Sequence, residues 1–91
     1  YSLAIEFAKM QIPTLVIVGD EDDPCLEPSL FLKRTIPRAG LLALPQTGHA
    51  CNLEEPQMFN QGVAEFISQV EAGRWGPRTT GSGDDWNAAP R

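Results

Sequence analysis

A chain of 91 residues has room for one small domain, and 12 Asp/Glu against 7 Lys/Arg give it a formal net charge of −5. That balance repels phosphate backbones and argues against nucleic acid as a partner. No apolar run approaches the ~18 residues a membrane span needs, and two cysteines are too few for a disulfide-stapled scaffold. The chain opens on Tyr1-Ser2-Leu3 rather than methionine, already inside an amphipathic pattern, so this reading expects sequence upstream of Tyr1.

In chain order, residues 2–9 place Leu3 and Phe7 on one helical face beside Ala4 and Ala8, which reads as the last turns of a helix that Pro13 stops. Thr14 to Val18 is an unbroken apolar run rich in β-branched residues. Alternation would mean one wet face, whereas an unbroken run predicts a strand buried on both faces, as in a parallel sheet. Gly19 ends it and an acidic loop follows. Pro28 suits the first position of a helix that runs to about Ile36, and Pro37, Arg38 and Gly40 form its exit. Residues 41–45, LLALP, are a second strand candidate. Pro56 opens the last helix, with Glu54 and Glu55 at its positive end. Phe59, Val63, Phe66, Ile67 and Val70 form its apolar stripe, and Gly73 suits the position just past its end.

From Gly73 on the composition changes to Gly, Pro and polar residues without period, which predicts an ordered portion over 1–72 and a disordered tail over 73–91. Trp75 and Trp86 in that tail could anchor a partner or pack locally. The order helix–strand–helix–strand–helix predicts an α/β layer with two parallel strands joined by a right-handed crossover. Two strands and three short helices cannot cover both faces of such a sheet and its edges. The chain therefore reads as the C-terminal piece of a larger α/β domain, or as one that pairs with another chain.

In open parallel sheets, ligands bind outside the carboxyl ends of the strands. Two loops meet that description, GDEDDPC after Val18 and QTGHAC after Pro45. Asp22 and His49 each lie four residues beyond their strand ends, and neighbouring strands are about 4.8 Å apart, so the two side chains can come within hydrogen-bond reach. A carboxylate on one ring nitrogen fixes the tautomer and leaves the other nitrogen as a base. A loop histidine and an acidic loop are each commonplace, and neither alone specifies chemistry. The acidic loop fails the calcium-loop pattern. Asp22, Cys25, His49 and Cys51 share the rim and could converge on zinc, but no C-x-x-C or H-x-x-x-H spacing supports that. The same convergence would permit a Cys25–Cys51 disulfide, with two free thiols as the default. None of Ser2, Ser29, Ser68 and Ser82 sits in a G-x-S-x-G elbow, and no histidine-activated nucleophile is evident. Leu26, Leu53 and Met58 suit either the core or an apolar pocket.

Taken together, P-T-L-V-I-V-G-x-x-D with Gly19 and Asp22, T-G-H ahead of Glu54-Glu55-Pro56, and the closing amphipathic helix resemble the C-terminal part of the α/β-hydrolase fold. The resemblance covers about residues 11–71 and is strongest to the branch of ester, enol-lactone and carbon–carbon bond hydrolases. It implies Asp22 as the triad acid, with Asp20 as the fallback, and His49 as the general base of a Ser-Asp-His triad. It implies a small-molecule ester-like substrate and no metal or organic cofactor. The nucleophile, the oxyanion donors and the earlier strands have no counterpart here. The resemblance therefore implies that the chain is inactive alone and completes its site by pairing with the remainder of a hydrolase domain. A non-enzymatic alternative is a truncated relic or interaction module that completes a partner's sheet.

Overall fold

The computed structural model describes residues 3–77 of the chain. Six elements follow in order: α1 (Leu3–Ala8), β1 (Thr14–Gly19), α2 (Asp23–Thr35), β2 (Ala39–Leu44), α3 (Cys51–Glu54) and α4 (Pro56–Glu71). The strands form a two-stranded parallel sheet in which Thr14 faces Ala39 and Gly19 faces Leu44, so both strands end at the same level. That alignment sends both following loops out side by side. Among the described residues no helix is long and apolar enough to cross a membrane.

Three boundaries depart from the sequence expectation. Helix α2 starts at Asp23 rather than Pro28, with Pro24 in its first turn and Pro28 inside it. The residues Asp22-Asp23-Pro24 already carry a start signature, an N-cap type followed by a proline whose fixed φ suits the first turn. Strand β2 begins at Ala39 and ends at Leu44, shifted back from 41–45, because Pro45 turns out of the ladder. The short helix α3 was not expected; it fills the segment between the His49 loop and α4.

Helix α2 packs on both strands, α4 packs on β2 and α3, and α1 lies against α2 with Phe7 and Phe31 edge to face at 6.2 Å. Among the described residues the buried apolar set is small: Val18, Ile36, Ala39, Leu44 and Cys51. Each large member contributes about 1.5–3 kcal/mol. The stripe of α4 is only half covered, and Ile67 is exposed. Residues 14–17 of β1 are likewise half-buried, although their unbroken apolar run suits cover on both faces.

Gly73 takes a φ of 74° and donates its N–H to the Val70 carbonyl, which ends α4 as the spacing predicts. The chain then turns back on itself. The Trp75 ring packs edge to face on Phe66 at 4.7 Å, and its indole N–H donates to the Arg38 carbonyl at 2.7 Å. Arg38 Nη2 donates in return to the Trp75 carbonyl at 2.5 Å. A side chain at position 40 would run into the Trp75 ring, so Gly40 makes room for it. Trp75 thus packs locally. The rest of the expected tail, residues 78–91 with Trp86, lies outside the described residues.

Candidate active site

Past the ends of β1 and β2 the two loops stay bonded to each other. Asp20 N–H donates to the Leu44 carbonyl and Glu21 N–H to the Thr47 carbonyl, both at 2.9 Å. Between those two acceptors the second loop inserts a turn at Pro45–Gln46, with Gln46 at φ 51°. The turn explains the unequal offsets: Asp22 lies three residues past β1 and His49 five residues past β2, yet the two meet.

The crossing is close. A Cβ at Gly19 would collide with the backbone carbonyls of Thr47 and Gly48, so only glycine lets the loops touch here. Thr47 is completely buried, and its hydroxyl donates to the Pro45 carbonyl at 2.8 Å. Gly48 N–H donates to the Glu54 carboxylate at 2.9 Å. Thr47 and Glu54 thereby brace the loop that presents His49. Sequence reading missed both roles and placed Glu54 at the start of α4. The signal was thin: a carboxylate on the single turn right after the histidine loop.

At the N-cap of α2, the Asp22 side chain makes no capping bond to a backbone N–H of its helix. Its carboxylate accepts instead from His49 Nδ1 at 2.8 Å. An ionised carboxylate only accepts, so Nδ1 carries the proton and Nε2 holds the free lone pair. The Asp22 side chain is 11% exposed and the His49 side chain 85%, so the acid sits behind the ring and the ring faces outward. Asp20, the fallback, faces the backbone instead: its Oδ1 accepts a long 3.4 Å bond from Thr47 N–H.

Hydrogen bonding to Asp22, then its negative charge, raises the imidazole above its ordinary value, and slight desolvation opposes this. The Asp22 carboxyl is held below its ordinary value, first by the His49 bond and next by the Cys25 thiol. Cys25 is pushed up, chiefly by that bond to Asp22. Its Sγ stands 4.0 Å from His49 Nδ1. The two cysteines are free, and the buried Cys51 turns its thiol to the Gly48 carbonyl at 3.6 Å. Of the four rim residues considered together in the sequence, Asp22, Cys25 and His49 converge, with potential ligand atoms within 4.8 Å of one another, and Cys51 is not in the group.

The apolar residues near the rim divide. Leu26 is half-buried, and Leu53, at 77% exposure, stands outside the core. Met58 lines an open groove of about 670 Å³ between β2 and α4.

No family model matches the chain. Protein ABHD14A of Mus musculus is 29% identical over 65 residues, 71% of this chain and 26% of that protein. Uncharacterized hydrolase YugF of Bacillus subtilis (strain 168) is 35% identical over 63 residues, 68% of this chain and 23% of that protein. Among solved structures, MGS-MChE2, an alpha/beta hydrolase enzyme from a lagoon-sediment metagenome, superposes with a TM-score of 0.71 at 32% identity. The match covers 77% of this chain and 32% of that one. The chain spans between 23% and 32% of the length of the curated relatives it matches. With two parallel strands, flanking helices and these relatives, the chain carries part of an α/β-hydrolase fold and belongs to the α/β-hydrolase family.

Proposed function

We propose that this chain supplies the acid and the base of a nucleophile–histidine–acid triad in a hydrolase acting on ester or related acyl or carbon–carbon bonds. The observation that carries the reading is the Asp22–His49 bond of 2.8 Å behind an imidazole that is 85% exposed. With Nδ1–H held by Asp22, Nε2 takes the proton of an attacking hydroxyl and later returns it to the leaving group. Asp22 stabilises the imidazolium formed between those steps. The nucleophile and the oxyanion donors come from sequence outside this chain, which corresponds to the C-terminal part of the family's fold. The 91 residues alone are therefore inactive.

Hydrolysis of p-nitrophenyl acetate tests this, with the 91-residue chain alone and with a longer polypeptide that adds the preceding part of the domain. The longer polypeptide should hydrolyse the ester and lose about 10⁴-fold in kcat with Asp22→Asn, the order seen when a triad acid is removed. The chain alone should match the buffer rate. Unimpaired hydrolysis by the longer His49→Ala protein would overturn the reading.

A second reading is favoured by a different observation. Leu3, Ile5 and Ile12 are each more than half exposed beside a sheet of two strands. A non-catalytic piece that completes a partner's sheet would bury such residues and leave His49 without a task. It predicts association with the partner and no effect of His49→Ala on any rate.

A further inference from the structure

One group at the rim has no part in proton transfer through Nε2: the Cys25 thiol. It stands on the Nδ1 side of the ring, 4.0 Å from that nitrogen, on the first turns of the helix that Asp22 starts. Asp22 Oδ2 lies 2.8 Å from the same nitrogen. Sulfur, imidazole nitrogen and carboxylate oxygen together suit zinc and other thiophilic ions, and do not suit magnesium or calcium. A zinc ion with ordinary bond lengths holds tetrahedral neighbours roughly 3.4–3.6 Å apart. Two of the separations bracket that range, 2.8 and 4.0 Å, and all three ligand atoms lie within 4.8 Å of one another, so side-chain shifts on the order of an ångström would seat an ion. The ring can make them, because the His49 side chain is 85% exposed and its bond to Asp22 runs through Nδ1.

We propose that Asp22, Cys25 and His49 form an inhibitory site for a thiophilic divalent cation, with Zn²⁺ the fitting ion. The ion takes Asp22 Oδ, Cys25 Sγ and His49 Nδ1, and water fills the remaining position. The thiol proton leaves to solvent. The ring proton can no longer reside on Nδ1, so the neutral imidazole carries it on Nε2. That is the atom that must be bare to accept a proton from a nucleophile. Metal binding thus turns the base into a donor without blocking the rim from outside. This effect on catalysis rests on the role proposed for His49; the binding itself does not.

The test titrates Co²⁺ into the 91-residue chain, with Zn²⁺ as competitor. A thiolate-to-cobalt charge-transfer absorption should saturate at one equivalent and be displaced by Zn²⁺. Cys25→Ser should abolish the band and weaken Zn²⁺ binding by at least ~10-fold. Cys51→Ala should leave both unchanged, since that thiol faces the Gly48 carbonyl. Absence of both the band and Zn²⁺ binding at micromolar protein would overturn the site. So would a band that Cys51→Ala removes as fully as Cys25→Ser, which is the mark of an unfolded chain collecting metal. Ring nitrogen NMR of the Zn²⁺ form should place the proton on Nε2; a proton still on Nδ1 would overturn the inhibitory mechanism. If His49→Ala abolishes ester hydrolysis by the longer polypeptide while no metal binds, the site fails and the active-site reading stands. If metal binds as described but His49→Ala costs nothing, the site stands and its inhibitory role fails.

Discussion

Asp22 stands where a helix would use its side chain as a cap, and gives it to His49 instead. Forgoing a cap costs about 1 kcal/mol of helix stability. The pH behaviour follows from the shifts. In the role proposed for it His49 must be neutral, and its value is raised, so the acid limb of the longer polypeptide's pH–rate profile should lie above the ordinary imidazole value of about 6.5. Asp22→Asn should move that limb down as well as lower kcat, and Asp20→Asn should leave it in place. For stability the signs are opposite at the two partners. The part owed to His49 is fully present below the unfolded imidazole value and is lost as pH rises through the raised folded one. The part owed to Asp22 is present above the unfolded carboxyl value and is lost as pH falls through the lowered folded one. Both persist together between about pH 4 and 6.5. Asp22 and His49 were legible as a pair because each follows a strand end closely. Glu54 and Thr47 were not, because their work is a hydrogen bond across a loop whose path no periodicity encodes.

At the scale of elements, the site depends on two loops crossing over Gly19. Gly19→Ala inserts a methyl group against the Thr47 and Gly48 carbonyls. It should cost about 1–3 kcal/mol in urea unfolding, as overpacking does, and should displace His49. An unchanged midpoint and an unchanged Asp22–His49 bond would show that the crossing is not tight. At the opposite end of the sheet, Trp75→Ala removes an aromatic pair with Phe66 and a bond to the Arg38 carbonyl, together about 2 kcal/mol. Urea unfolding followed by far-UV circular dichroism checks this, and a loss under ~0.5 kcal/mol would show the Trp75 packing adds nothing. The strands and the long helix α4 were readable from their apolar patterns. The start of α2 was not, since two prolines in the helix, Pro24 and Pro28, each suit a first turn and only the N-cap at Asp22 decides between them.

For the whole molecule, the sequence asks for more cover than these residues provide. β1 is apolar throughout and half-buried over 14–17, and Ile5, Ile12 and Leu53 are exposed. The deficit was visible beforehand, because an unbroken β-branched run implies two covered faces and the three helices read from the sequence are too few to supply them. The isolated chain should bind the dye ANS and sediment in a concentration-dependent way; a cooperatively melting monomer that binds no ANS would contradict this. The central claim is that the Asp22 carboxylate holds and tunes the His49 ring. The most direct measurement is the His49 titration midpoint by ring nitrogen NMR, in chelator-treated buffer, for the unmodified chain and for Asp22→Asn. A midpoint above the ordinary imidazole value that falls to it in Asp22→Asn is the predicted result. The same midpoint in both proteins would contradict it.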